Sequence, residues 1–439
     1  MSPVYPRSAS AHPIDGRSSV RSLYRVLVLG HFALSSLFAV LAPFPAGFDE
    51  LAHVSYVVHV RERQELVASF DEMLLAEPDK PSAWSAQRNY LNHPSFYYVA
   101  LGMIPGPAGA PPHLLLLRLV NACLSSGALA LALRIGLQAA WPASAQALFG
   151  VILATVPTLA ILGGLVTNDN LAWLGGALCC LGAHGLLRDG LSGGRLSMAI
   201  GGFALASLAK LTAALLCGGL MAGALAALWL REKRCVFLDR RVLITLALAS
   251  LAMLPYLAFW TQYGSPAPYT GGQAEVLQSR LAEIPEWQAQ RYEFARYAAH
   301  FLLSLLMFWP PLVPRADLQI LLLAAPSICV LSAALGAWIA LCGGRGAERD
   351  PTALFVLCGA LALGVVMAIH LGFAFERHLE TGWLKGIYPR YYFPLLPVFA
   401  AACATAAAHP SLRWIVGPIM LLSIGYAAVA AVQVARGLL

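Results

Sequence analysis

Charge is what this sequence has least of. Asp, Glu, Lys and Arg make up 12% of its 439 residues, against 59% hydrophobic residues and a mean hydropathy of +0.68. Soluble domains are about 45–50% apolar, so a soluble globular chain is excluded. The net charge of +7 is too modest for a nucleic-acid surface. In so apolar a chain it reads as Lys and Arg at cytoplasmic span ends, facing anionic membrane lipid. The nine cysteines form no CxxC pair and no metal-ligand spacing. Cys179, Cys180, Cys329 and Cys358 sit inside apolar runs, where they serve as small packing residues. No A-x-A cleavage site follows the first apolar run, so an uncleaved first helix is expected. No tandem or inverted repeat is visible, which counts against the repeated halves common among transporters.

What the sequence does have is apolar runs of about 17–25 residues along its whole length, the mark of transmembrane helices. The expected fold is an all-α polytopic membrane protein in a single transmembrane domain over 1–439, with about eleven transmembrane helices. Residues 1–25 form a cytoplasmic N-terminal tail. Residues 43–112 form a structured first extracytoplasmic loop with amphipathic segments. Residues 261–317 form a second, containing a short proline-stopped interfacial helix (300–314), and 375–390 a third. Residues 196–230 are apolar except for Lys210, with basic clusters on both flanks. The positive-inside rule puts both ends in the cytoplasm, so this run is expected to be a hairpin with Lys210 at its outer tip.

That topology gathers the polar residues on the extracytoplasmic face. "FDELAH" holds Asp49, Glu50 and His53, with Asp49 and His53 at i,i+4 on a helix. Three readings are open. Acids at a helix start complement its dipole. A carboxylate near low dielectric can act as a general base. Carboxylate and imidazole donors also suit a divalent ion. "NHPSFYY" contributes Asn92 and His93, either as part of an interfacial aromatic belt or as substrate contacts. "TNDN" contributes Asn168 and Asp169. It either caps the next helix or touches substrate. "YPRYYFP" places Tyr388, Arg390 and Tyr391 where a span begins, as an interfacial anchor or as a phosphate clamp built on guanidinium donors.

In their order and common face, "FDELAH", "NHPSFYY" with "LLRLVNACLSSGALAL", "TNDNLAWL", "LASLAKLTAALL" and "YPRYYFPLLP" resemble bacterial polytopic glycosyltransferases of the GT-C superfamily. These include aminoarabinose and protein O-mannosyl transferase-like enzymes and related D-E-x-x-H loop membrane proteins. The chain departs from the better-known members in lacking a large C-terminal soluble domain, which leaves the acceptor undefined. The resemblance implies transfer of a sugar from a polyprenyl-phosphate donor to a glycan, lipid or protein acceptor, on the outer face of the bacterial inner membrane. It implies a first-loop base at Asp49, with Glu50 beside it, and cationic help for the leaving phosphate from Lys210 and Arg390, with His93 as a third contributor. No cofactor is required by this reading, though a divalent metal (Mg or Mn) fits the same loop. The competing classes are a transporter or flippase of a lipid-linked glycan, and a non-catalytic assembly protein.

Overall fold

The computed structural model describes residues 16–65, 69–104, 113–232, 236–283, 291–306, 316–342, 350–382, 384 and 388–435. In chain order the elements are α1 (Gly16–Leu41), α2 (Glu50–Arg63), β1 (Leu74–Glu77), β2 (Lys80–Arg88), α3 (Phe96–Gly102), α4 (Leu114–Gln138), α5 (Ala143–Thr155), α6 (Pro157–Gly163), α7 (Asp169–Asp189), α8 (Gly193–Ala209) and α9 (Leu211–Glu232). They continue with α10 (Arg240–Leu251), α11 (Leu254–Tyr263), α12 (Gly271–Glu283), α13 (Phe294–Leu306), α14 (Ala316–Cys342), α15 (Pro351–Thr381), α16 (Leu396–Ala408) and α17 (Val416–Ala435). A 3-10 segment, Pro389–Leu395, leads directly into α16.

The protein is a multi-pass membrane protein. Among the described residues six helical segments are long and apolar enough to span: Ser18–Leu41, α4, α7, α9, α15 and Pro389–Ala408. Two bent pairs, α5 with α6 (50°) and α10 with α11 (43°), bring the number to eight. The second helix of each pair has a proline in its first turn, where proline ends one run and begins another. The expected count of about eleven is therefore not established. Ser327–Cys342 and Pro410–Gly425 are apolar but shorter helices.

The first loop holds a feature that the hydropathy pattern did not indicate. β1 and β2 form an antiparallel hairpin, with Ala76 opposite Trp84 and Glu77 opposite Lys80. It packs on α2, where Ser55 Oγ accepts from the Ala76 amide at 2.8 Å. The third loop is shorter than 375–390. α15 continues to Thr381 and is closed by Gly382 in the left-handed region (φ 73°), a helix end that glycine adopts without strain. In the second loop α13 covers the start of the 300–314 segment, and residues 307–314 lie outside the described residues.

The α8–α9 hairpin forms as the sequence reading expects. Lys210 is its single extended hinge residue, and Phe203 on one arm faces Gly218 on the other. At the opposite end, Arg231 donates to Leu187 O and Arg195 pairs with Asp189 at 3.1 Å. α7 thus runs from Asp169 at one face to a basic cluster at the other. Its 21 residues span about 30 Å, the thickness of a bilayer's hydrocarbon core.

Candidate active site

The site begins with a strained turn. After α1, Gly47, Phe48 and Asp49 all have positive φ (84°, 50° and 66°). Left-handed backbone is costly for the two non-glycine residues, so neighbouring contacts must hold them there. Glu50 and Arg118 provide those contacts. Glu50 Oε1 and Oε2 accept from Arg118 Nε and Nη2 at 2.8 and 2.7 Å. Glu50 also accepts from the amides of Ala46 (3.1 Å) and Val166 (3.2 Å). Arg118 spends its other donors on Ala39 O, Ala42 O and Pro43 O, the carbonyls that the end of α1 leaves open. Glu50 is fully buried and saturated with hydrogen bonds. In this geometry Glu50 braces the turn that presents Asp49, and its bonds leave it no open side toward a substrate.

Asp49 faces the other way and is 35% exposed. Its Oδ1 accepts from Tyr90 Oη at 3.1 Å and its Oδ2 from Arg390 Nη2 at 2.6 Å. Partial burial pushes its carboxyl upward. The charges of Arg390 and His53 and the two hydrogen bonds outweigh this, and hold it below the ordinary carboxylate value. Asp49 is thus an ionised, accessible carboxylate.

Glycines on α7 bring the remaining charges to it. Side chains at Gly175, Gly182 or Gly202 would collide with the backbone of the facing helix in the α7–α8 pair. Such small-residue seams allow close helix packing in membranes. This antiparallel register ends with Asp169 beside Lys210. On another side of α7, Gly176 lies against the backbone of Pro394, which docks the 389–395 segment and sets Arg390 next to Asp169. Lys210 Nζ donates to Asp169 Oδ1. Arg390 Nη1 lies 3.5 Å from Asp169 Oδ2. Tyr391 offers its ring face to Lys210 at 5.0 Å and to Arg390 at 5.8 Å, and Tyr388 to Arg390 at 5.1 Å. Two carboxylates and two cations therefore converge from four separate stretches of sequence. Arg390 Nε and Asn168 Oδ1 are buried there without a hydrogen-bond partner among the described residues.

His53 is held on both ring nitrogens. Thr167 Oγ1 donates to Asp169 Oδ2 (3.3 Å), which uses its only hydrogen. Its 3.3 Å contact with His53 Nε2 must then be a bond donated by His53. That fixes the Nε2–H tautomer and leaves Nδ1 to accept from Tyr98 Oη at 3.0 Å. Burial holds the imidazole down at about 4, despite Asp49 and Asp169 nearby, so it is neutral near neutral pH. With both nitrogens engaged, His53 orients the site and has no free nitrogen for a substrate proton. His93, half-buried, stacks on His53 with ring centroids 6.4 Å apart. Its backbone carbonyl accepts from Tyr56 Oη.

Of the residues singled out in the sequence, Asp49, His53, His93, Asp169, Lys210, Arg390, Tyr388 and Tyr391 come together. Asn92 instead ties the first loop to the second, donating to Pro268 O at 2.9 Å. Asn168 donates to Ala209 O at 2.8 Å, which fixes the residue before Lys210. The capping reading of "TNDN" is not what the side chain of Asn168 does, since it makes no cap bond. Sequence reasoning missed Arg118, Thr167, Tyr90 and Tyr98. Arg118 carried a partial signal: it is one of two arginines in α4, with Arg134, and an arginine within a span has a partner, though the sequence does not say which. The donor set does not fit a Mg or Mn ion. Asp49, Asp169 and Glu50 are each bonded to a cation, His53 has no free nitrogen, and no group of three or more His, Cys, Asp or Glu converges among the described residues.

The chain matches no family model and no curated protein. Solved structures do match. ArnT from Cupriavidus metallidurans in the apo state gives a TM-score of 0.52 at 16% identity, over 94% of this chain and 64% of that one. ArnT bound to undecaprenyl phosphate gives 0.52 at 14%, over 96% and 73%. The Archaeoglobus fulgidus oligosaccharyltransferase in complex with Zn and sulfate gives 0.51 at 15%, over 92% and 52%. The chain thus spans about two thirds of ArnT and about half of the oligosaccharyltransferase. At these identities the likeness is one of fold. The chain shares the fold of ArnT and of the oligosaccharyltransferase, the fold that the sequence resemblance implies.

Proposed function

We propose that this protein is a glycosyltransferase that moves a sugar from a polyprenyl-phosphate-linked donor to an acceptor hydroxyl. The observation that carries this reading is the pairing of one accessible, ionised carboxylate, Asp49, with two cations, Arg390 and Lys210, on a GT-C-like fold. Asp49 removes the acceptor proton as its oxygen attacks the anomeric carbon. The carbon–oxygen bond to phosphate breaks, and its electron pair stays on the phosphate. Lys210 and Arg390 stabilise the charge that develops there. Arg390 carries a buried Nε–H without a partner among the described residues, a donor that phosphate oxygens can use. That one of the structural neighbours was solved with undecaprenyl phosphate supports the donor class.

The site lies at the end of α7 opposite the Arg188, Arg195 and Arg231 cluster. By the positive-inside rule it faces outward from a bacterial inner membrane. Glycan, lipid and protein acceptors all remain compatible with the site. The test is an assay of purified protein with polyprenyl-phosphate sugars and candidate acceptors. Transfer by wild type and its loss in Asp49→Asn is the expected result. Undiminished transfer by Asp49→Asn would remove the base assignment. Movement of lipid-linked substrate across vesicles without transfer would place the protein among flippases.

A further inference from the structure

The charges at the site already cancel. Asp49 and Asp169 carry two negative charges, Lys210 and Arg390 two positive ones, and the Glu50–Arg118 pair behind the turn is neutral as a unit. A phosphodiester headgroup entering this site brings one further negative charge with no cation waiting for it among the described residues. In partly buried surroundings an uncompensated charge is strongly disfavoured. Among the described residues, the side chains here that can become cationic are the two imidazoles. His53 is committed on both nitrogens, to Tyr98 and Thr167. His93 stacks on it, is half-buried, and no ring nitrogen of His93 is hydrogen-bonded among the described residues.

We propose that His93 takes up one proton when an anionic phosphate group enters the site, and so becomes the third cation of the bound state. The inference rests on the reading of the site as one for a lipid-linked phosphate. It also gives His93 a specific part in that site, as a charge acquired with the ligand. The groups acting on His93 are named readily. Lys210 at the α8–α9 hinge and His53 on α2 disfavour its protonation, while Asp169 on α7 and Asp49 on the turn favour it. Tyr56 and Tyr98 pack beneath His53 as neutral rings. His370 lies behind Tyr391, with Nδ1 at 2.7 Å from Tyr392 Oη.

Without ligand, burial and Lys210 hold His93 well below the ordinary imidazole value, so it starts neutral. An opposite charge at close range raises such a group by about one to three pH units. The proton count then stays balanced through the reaction. Transfer turns a singly charged diester into a doubly charged monoester, and the acceptor proton moves to Asp49. The net charge inside the site is therefore unchanged, and the single proton gained on binding serves both stages.

Calorimetry tests this with a polyprenyl phosphodiester probe, farnesyl methyl phosphate, which has no titrating group near neutrality. Binding to the detergent-solubilised protein is measured without added metal, in buffers of equal pH and different ionisation enthalpy. Wild type should take up a fraction of a proton that approaches one as pH is lowered from neutrality, and its affinity should fall with rising pH by up to about tenfold per pH unit. His93→Gln should bind up to about tenfold more weakly than wild type on the acidic side of neutrality, with no uptake and no pH slope. His93→Arg, a permanent cation, should bind without uptake and restore affinity. Binding by wild type with no proton uptake overturns the proposal, as does uptake that persists in His93→Gln. A requirement for added Mg or Mn in place of a proton also overturns it. If the probe fails to bind to wild type under any condition, the phosphate-site reading itself falls, and this inference falls with it.

Discussion

Asp49 and Glu50 are adjacent carboxylates that each hold an arginine, yet the two pairs have different surroundings. Glu50–Arg118 is 0% and 4% exposed, whereas Asp49–Arg390 is 35% and 7% exposed. The left-handed backbone at Gly47, Phe48 and Asp49 turns the chain so that one carboxylate points into the bundle and its neighbour out of it. Glu50 has four donors and no spare capacity. Asp49 has two and retains open lone pairs. The same residue chemistry thus braces on one side and, in the proposed function, supplies the base on the other. The difference comes from where each carboxylate's partners sit.

The largest effect should come from breaking the brace. Arg118→Met leaves Glu50 charged and buried, and strips three carbonyls at the end of α1 of their donor. Removing one member of a buried pair costs about 3–5 kcal/mol, so little monodisperse protein should be recovered after size exclusion. The double variant Glu50→Gln/Arg118→Met should recover part of that loss, because no lone buried charge remains. Single variants that melt like wild type would show that the brace has no structural role. Asp49→Asn, one residue away, should behave in the opposite manner. Transfer should drop by about 10²–10⁴-fold, while melting shifts by less than about 1 kcal/mol. Equal destabilisation by the two neighbours would erase the contrast.

An intermediate effect is expected at Arg390. Arg390→Lys keeps a positive charge but loses the fork that spans Asp49 Oδ2, Phe48 O and Asp169. Lysine is a compact charge on a flexible stem. Transfer should fall by about 10²-fold, with most of the change in kcat. Gly176→Val should give a similar loss without touching any charge, because the added side chain displaces the Pro394 backbone and carries Arg390 away from Asp169. If Gly176→Val retains full transfer, the register of α7 against 389–395 does not set the site.

These residues also mark how far the sequence could be read. Asp49, Asp169, Lys210 and Arg390 were legible because charges in an apolar chain must share a face, and topology supplied that face. Lys210 was placed at a hairpin tip by basic flanks alone. The two arginine partnerships were not legible. Arg118 lies one turn into α4, where an arginine reads as an interfacial anchor until its tertiary partner is known. Phe48 in left-handed backbone has no sequence signal, since bonds from distant residues, Arg118 to Glu50 and Arg390 to Phe48 O, help make it tenable. His53 looked like a catalytic imidazole because spacing shows only the Asp49 side of its ring. Thr167 and Tyr98, which occupy its nitrogens, are 114 and 45 residues away.

The smallest effect is in pH-dependent stability, and it separates the two kinds of group at this site. His53 is neutral and buried in the folded protein, held to about 4 against an ordinary 6.5. Below 6.5 the unfolded chain gains a proton that the folded one cannot take until about 4. Stability is therefore full above that window and declines as pH falls through it. Asp49 is shifted below its ordinary 3.8, so its contribution is present above that value and is lost only at lower pH. His59 and His93 are shifted in the same direction as His53, so wild type alone cannot assign the slope. Melting of detergent-solubilised His53→Gln against wild type isolates it. The variant should start lower at neutral pH, having lost the bonds to Tyr98 and Thr167. The gap should then narrow as pH drops from about 6.5 to about 4. A gap that stays constant across that window would mean that His53 is not buried as a neutral imidazole, and the tautomer fixed by Thr167 would have to be abandoned.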